Sequence, residues 1–510
     1  MECGRTKNTI YNAAGGIIVR TVSMITAFVT RTVFINVLGL QYAGVSGVFS
    51  DILVILSFAE LGIGQAIVYA LYRPIAEQNN EKIAILMTTY RKIYSIIACI
   101  ILCVGMCLLP VLRFIVNDVP DVAEDIRLIY VLYLVNTSTS YLLIYKYTFL
   151  TATQKDYLVS KFKSVFAVVR AIIECIVLIL FKDYILYLLI SIITNVIQNY
   201  VIAGVAEKEY PILKVKSSQK LDIVERRNLF KDVRALALYK VSGTVLSGTD
   251  SVVTSTILGT SLVGILGNYN LIINQVYSMI MQILTATSAS IGNLAITGTF
   301  QHQHRIFKQL NLLCFWIYCI SATCLWTLLN SFMMMWQGKA YLFDCLVVAL
   351  LIIEFYMKGM LSPVSQFRTS NGLFVQGKYR PIIMAVVNIF LSIIFAYKIG
   401  IAGVILGTII ARVSTQIWYD AWLIHREVFR CSVLEYYKKY IKYGTITVLS
   451  CIISKNILVS IYETNDIIQL LIGLVFSIVI SNCFVIVCSY KEPEFKELVN
   501  IFGQIVKKIS

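Results

Sequence analysis

Apolar runs of roughly 20 to 30 residues, each long enough to cross a bilayer as a helix, alternate along the chain with short polar connections. They fall near residues 10–38, 45–72, 91–116, 126–150, 161–181 and 184–206, then 233–258, 265–297, 306–330, 340–363, 379–399, 402–424, 436–460 and 466–490. The pattern predicts an all-α polytopic membrane protein of about 14 transmembrane helices. The longest polar interruption, Glu207 to Arg234, follows the sixth run. It divides the chain into a six-helix lobe at 1–206, a basic linker at 207–232, a second six-helix lobe at 233–430, and two additional helices with a tail at 431–510. Within the linker, Leu221, Ile223, Val224, Leu229 and Phe230 among the charges fit either an amphipathic helix lying on an anionic leaflet or a solvated connection.

The two lobes read as copies of one another. Leu38-Gly39, with Gly44 and Gly47, aligns at an offset of 220 with Leu258-Gly259, Gly264 and Gly267. Ala167-Val168-Val169-Arg170 aligns at 218 with Ala385-Val386-Val387-Asn388. Two matches at nearly one offset favour duplication over chance. Six helices per copy, an even number, give both copies the same polarity. A pseudo-two-fold axis along the membrane normal is therefore expected.

Composition agrees with this reading: 58% of residues are apolar and 14% charged, where soluble domains carry about 25% charged residues. Large soluble domains are excluded. The 44 basic residues outnumber the 28 acidic ones, and their placement explains the excess. Arg73, Lys82, Arg91 and Lys92, the linker, and the group Lys438, Lys439 and Lys442 all fall on one side, whereas the main loop of the other side carries Asp118, Asp121, Glu124 and Asp125. The positive-inside rule then puts both termini in the cytoplasm and accounts for the charge without nucleic acid. No small-residue cleavage site follows the first run, so that span is expected to stay.

Charges inside the runs are the candidates for function, because each costs roughly 2.5 to 3.5 kcal/mol when it faces lipid. Arg20, Arg31, Lys146, Lys240 and Arg412 are candidates to line a substrate cavity, and Asp51, Glu60 and Asp250 to couple transport to an ion gradient. Arg170 with Glu174, and Glu354 with Lys358, stand four apart and are expected as structural pairs. Arg20 and Arg31 are eleven apart, about three turns, and share a helix face. An anion suits such a face, above all phosphate or pyrophosphate, which guanidinium grips bidentately.

Catalytic residues are sparse. His302 and His304 are expected in a solvated loop, so no metal site is expected there. Gly372 to Lys378 resembles the start of a phosphate-binding loop, but Tyr379 stands where Ser or Thr is required. Cys99, Cys103 and Cys107, four apart, are expected to serve as small packing residues. No enzyme and no cofactor are expected.

Leu38-Gly39 with Gly44, Ala59-Glu60-Leu61-Gly62-Ile63-Gly64, and Asp250 ahead of Leu258-Gly259 resemble the bacterial polysaccharide flippases that export O-antigen and capsular units. Those belong to the multidrug/oligosaccharidyl-lipid/polysaccharide superfamily. The resemblance implies two six-helix lobes around a cavity that opens alternately to the two membrane faces. It implies an undecaprenyl-pyrophosphate-linked oligosaccharide as cargo, the bacterial cytoplasmic membrane as location, and a polysaccharide polymerase and other assembly proteins as partners. Glu60 departs from the aspartate expected before Leu-Gly, and Asp250 matches better. The alternatives are a lipid II-type flippase, a multidrug extruder, which would call for cavity acids, and a membrane-embedded polymerase or ligase, which would call for a large outer loop. A scaffold, in which the buried charges serve helix packing, is the remaining class.

Overall fold

The computed structural model describes residues 21–57, 63–116, 122–153, 155–215, 217, 219, 221–222, 248–287, 291–292, 294–295, 298–373, 376–377, 379–459 and 467–500. Arg20, Glu60 and Lys240 lie outside them, as does the linker from 223 onward. Among the described residues every regular element is helical. The first part of the chain forms α1 (Thr21–Leu38), α2 (Leu40–Leu56), α3 (Ile63–Ala76), α4 (Asn80–Cys107), α5 (Leu112–Ile115), α6 (Ile126–Ser140), α7 (Ile144–Ala152), α8 (Asp156–Phe181), α9 (Tyr184–Glu209) and α10 (248–258). There follow α11 (Thr260–Ala286), α12 (Phe300–Gln337), α13 (Cys345–Met360), α14 (Ser362–Ser370), α15 (Arg380–Ile399), α16 (Ile401–Phe429), α17 (Leu434–Val459) and α18 (Ile467–Ser489).

Nine helices among the described residues are long and apolar enough to cross a membrane, or ten if the bent pair α6–α7 is one span. The expected runs at 10–38, 233–258, 265–297 and 436–460 lie partly outside the described residues, so this count covers only part of the fourteen. The run at 45–72 holds most of α2 and of α3, and the run at 126–150 bends by 43° between α6 and α7. α12, by contrast, overshoots its run: its 38 residues span about 57 Å at 1.5 Å per residue.

Polar residues mark the helix starts. The side chains of Asn79, Asp183 and Asp344 accept from the amides of Lys82, Leu186 and Val347 at 2.9, 2.9 and 3.3 Å, satisfying donors that a first turn leaves unpaired. Thr299 caps α12 through the His302 amide at 3.3 Å. His302 and His304 therefore stand on the first turns of a helix, not in a loop.

Packing divides the chain into unit 1, Met1–Gly267, and unit 2, Asn268–Ser510. Within unit 1 the start of α11 packs onto α2. Gly39 and Gly259 hold the matching helix breaks at φ 93° and 99°, a region that an L side chain rarely adopts. Past each break the chain turns into α2 or α11, and the two helices meet where a Cβ on Gly44 would strike the Thr260 carbonyl. The repeated glycines thus touch one another.

In unit 1 the core gathers Phe49, Tyr90, Tyr94, Tyr130 and Leu134. Ile172, Ile176, Ile179 and Leu180 cover the outer face of α8. Cys99, Cys103 and Cys107 are exposed, so they lie on the outer face of α4 and not in its packing seam. In unit 2 the added helices join α12 through small polar residues: Thr327 meets Ser477 at 2.8 Å, Thr323 meets Ser450 at 3.1 Å, and Trp316 donates to Asn482 at 2.9 Å. Such residues let apolar helices approach closely in lipid.

Candidate functional site

Each unit carries its own set of interior charges. In unit 1, α1 brings Arg31 inward, and its Nη2 donates to the Gly264 carbonyl at 3.2 Å. The repeated motif at the start of α11 thereby fixes this guanidinium. Tyr133, Tyr184 and Tyr187 all act on Arg31 electrostatically. Tyr184 and Tyr187, three apart on the first turn of α9, stack at 6.0 Å. Phe34, one turn from Arg31, meets both edge-on at 5.6 and 5.3 Å, and the Tyr133 and Tyr184 hydroxyls lie 3.2 Å apart.

On α8, Arg170 Nε donates to Glu174 Oε1 at 2.6 Å. Arg170 also acts on Tyr133 and Tyr187, so both arginines share one tyrosine-lined interior. Glu174 is 4% exposed while Arg170 is 40% exposed. The carboxylate orients the guanidinium, and the guanidinium keeps an open side. Deeper along α6 and α9, Asn195 donates to Asn136 at 2.8 Å. Arg31 and Arg170 stand with Glu174 beside phenol and amide groups able to bond hydroxyls, and Glu124, which accepts from Tyr42 at 2.7 Å, also acts on Tyr184 electrostatically.

In unit 2, Arg412 ends the first α-helical stretch of α16, directly before a π-helical turn at Val413–Ile417. Its Nη2 lies 3.2 Å from Glu354 Oε1 on α13, and Nη1 donates to Gln416 at 3.3 Å. Glu354 therefore bridges to another helix, in place of the expected bridge to Lys358. A guanidinium fork reaches across the interhelical gap, while Lys358 turns its ammonium over the Tyr277 ring at 4.2 Å. Glu354 and Arg412 still act on Lys358 electrostatically. Among the described residues this set holds two cations and one carboxylate.

The remaining candidates lie elsewhere. Lys146 pairs with Glu207 in a crevice of about 600 Å³ that is also lined by Arg91, Lys92 and Lys214. Asp51 is hydrogen-bonded with Ser251, the residue after Asp250, where α10 presses Gly248 against the Asp51 carbonyl.

Sequence reasoning missed a buried Arg–Asp–Arg brace in unit 2. Arg368 and Asp420 are each 1% exposed. Arg368 Nη1 donates to Asp420 Oδ1 at 2.6 Å, and Arg380 Nη1 lies 3.0 Å from Oδ2. Arg368 also binds the carbonyls of Leu373 and Gln376 at 3.0 and 2.7 Å. Leu373 and Gln376 of the phosphate-loop mimic thus both bind an arginine. Its spacing could not reveal Asp420, which arrives from another helix.

Solved structures share this architecture. The chain is similar to the lipid II flippase MurJ in an inward closed conformation, with a TM-score of 0.68 at 14% identity over 96% of this chain and 100% of that one. It has the fold of the MOP superfamily transporters. A variant of the MATE transporter VcmN from Vibrio cholerae gives a TM-score of 0.59 at 14% identity, covering 84% of this chain and 98% of that one. A MOP superfamily transporter from Pyrococcus furiosus, described by the reverse polarity of its binding pocket, gives 0.57 at 11% identity, covering 83% and 96%. No family model matches the chain, and no curated protein matches it.

Proposed function

We propose that this protein is a flippase that carries an undecaprenyl-pyrophosphate-linked oligosaccharide across the bacterial cytoplasmic membrane by alternating access, with both termini in the cytoplasm and an ion gradient as driving force. The observation that carries the reading is the tyrosine-lined interior of unit 1 with its two guanidiniums. Arg31 and the open side of Arg170 suit a pyrophosphate, which two guanidiniums bind with charge-assisted bonds. Tyr133, Tyr184 and Tyr187 offer rings and hydroxyls of the kind that hold sugars. Arg412 and Lys358 would receive the headgroup in unit 2. Arg20 and Lys240 would add to this basic set. Asp51 and Asp250, with Glu60, are the proposed coupling acids. A multidrug extruder of cations fits less well, because an arginine stands in each interior set.

A lipid II-type cargo is the second reading, favoured by the likeness to MurJ over essentially the whole of both chains. Both cargoes share a prenyl-linked pyrophosphate, so the charge argument is common to them.

The test is translocation in proteoliposomes, with undecaprenyl-pyrophosphate oligosaccharide, lipid II or a cationic dye loaded on one face. Wild type is expected to move the oligosaccharide lipid, and Arg31→Ala to slow it by about 10- to 100-fold, the range set by losing one charged hydrogen-bonding group. Movement of lipid II alone selects the second reading. Export of the dye alone overturns both.

A further inference from the structure

At one end of unit 2 three side chains that ligate metals converge from distant parts of the chain. His304 stands on the second turn of α12, His425 begins the π-helical last turn of α16, and Cys431 lies in the connection to α17. One ligand atom from each lies within 4.8 Å of the others. The Cys431 Sγ is 3.8 Å from both ring nitrogens of His304. We propose that His304, His425 and Cys431 form a binding site for Zn²⁺, with a fourth coordination position left to water.

The local backbone makes this convergence. Arg430 adopts φ 53°, a left-handed conformation uncommon outside glycine, and its guanidinium lies over the Phe300 ring at 4.1 Å. That turn sends the chain back on itself, so the Cys431 amide donates to the His425 carbonyl at 3.0 Å. A π-turn, the form His425–Phe429 takes, recurs at functional sites because it displaces side chains from the regular helical register.

The donors are also set for a metal. His425 Nδ1 lies 2.7 Å from the Ala421 carbonyl. A carbonyl can only accept, so Nδ1 carries the proton and Nε2 presents a lone pair, the arrangement that orients zinc-ligating histidines. His304 is equidistant from Sγ through both nitrogens, and its ring torsion is soft enough to aim either one. A tetrahedral Zn²⁺ with bonds of about 2.0 Å to nitrogen and about 2.3 Å to sulfur places those atoms about 3.5 Å apart. Two imidazoles and a thiolate are borderline-soft donors that suit Zn²⁺ over Mg²⁺ or Ca²⁺.

The surroundings are electrically balanced. Glu435 and Glu494 act on the His304 ring against Lys308 and Lys439. Each lysine is tied to one of those carboxylates, Lys308 to Glu435 at 2.8 Å and Lys439 to Glu494 at 2.9 Å. Phe307, Phe429 and Tyr436 ring His425 and keep its side dry, while Cys431 and His304 are half-buried and reachable by water. An ion there would fasten the start of α12 to the end of α16, at the entrance to the two added helices. Three protein ligands with one open position favour an exchangeable ion over a sealed structural one.

The experiment uses the full-length protein in detergent, stripped with a chelator and titrated with Zn²⁺ against a chromophoric competitor, with Co²⁺ as a spectroscopic stand-in. Wild type and His302→Ala are expected to bind one ion per chain. Cys431→Ser and His304→Gln are expected to bind at least about 10-fold more weakly, and Cys431→Ser to lose the sulfur-to-cobalt charge-transfer band. Retained affinity in both ligand variants, or no saturable binding by wild type, overturns the site. Because a variant can fail to fold, a second measurement uses wild type alone: alkylation of each cysteine is followed by peptide mass spectrometry with and without Zn²⁺. The ion is expected to slow modification of Cys431 by at least about 10-fold, as metal-bound thiolate is withheld from the reagent, and to leave exposed Cys99 unchanged. Equal rates at Cys431 overturn the proposal.

Discussion

The duplicated sequence places Arg170 and Glu174 in α8 at the positions that Asn388 and Ser392 occupy in α15. In α8 the pair is ionic, 2.6 Å long, and open to the interior on its arginine side. In α15 the equivalent pair is neutral and fully buried. Asn388 donates to Ser392 at 3.3 Å and to Thr408 on α16 at 2.7 Å. The difference goes with helix packing. Gly407 of α16 lies so close to Ser392 that a Cβ would come within 2.7 Å of its backbone nitrogen, and a glutamate there would have no room. Where the first copy has a charge pair with an exposed arginine, the second has close contact between α15 and α16. Its interior cations stand instead on α13 and α16, held by Glu354 across helices. A charge in a membrane lobe can serve a cargo only where packing leaves it a wet side.

The largest effect is expected where unit 2 buries charge for bracing alone. Asp420→Asn leaves Arg368 and Arg380 without their shared carboxylate, and should cost about 3 to 5 kcal/mol, read as a fall in Tm in detergent. A neutral outcome would remove the distinction between bracing and cargo-facing charge. Next, converting unit 1 to the unit 2 pattern with Arg170→Asn and Glu174→Ser should slow translocation by about 10- to 100-fold. Replacing both partners together avoids leaving a lone buried charge, so the Tm should move little. A collapse of Tm with it would assign the α8 pair to folding.

The reverse exchange, Asn388→Arg with Ser392→Glu, should overpack the α15–α16 seam and cost about 1 to 3 kcal/mol. An unchanged Tm would show that the seam tolerates what unit 1 carries. The smallest effect concerns Glu497, whose carboxyl is held below its ordinary range by hydrogen bonds from Arg305 and then Gln309. Its contribution is present above the unfolded-state value of about 4.3 and is lost as pH falls through the lower folded-state value. Glu497→Gln should flatten the acid side of a Tm–pH profile slightly and leave the neutral region unchanged.

The sequence disclosed most of the architecture and less of the sites. Apolar runs announced the helices because lipid demands long uncharged segments, and the glycine repeat announced two matching copies but not that α2 would cross α11. Breaks inside runs were hidden, since hydropathy is the same on both sides of the α6–α7 bend. Partners within one helix, such as Arg170 and Glu174, follow from a spacing of four. Partners across helices do not. Arg412 with Glu354, Arg368 with Asp420, and Cys431 with His304 are 58, 52 and 127 residues apart, and only tertiary structure decides that they meet. The one available hint was the presence of all three histidines and Cys431 near the ends of neighbouring apolar runs.

The meeting of Gly44 with Gly264 also bears on ancestry. Each glycine is the same position of its copy, and Gly264 comes within 3.1 Å of the Gly44 amide nitrogen at the place where a Cβ would project. Like meeting like is the signature of an isologous contact, the kind by which identical subunits close a two-fold dimer. A single-copy ancestor of half the length would have met its twin through this same surface, and gene fusion would then have freed the two halves to diverge. The difference between Arg170 with Glu174 and Asn388 with Ser392 is one that a true homodimer, bound to carry every substitution twice, could not have held on one side alone.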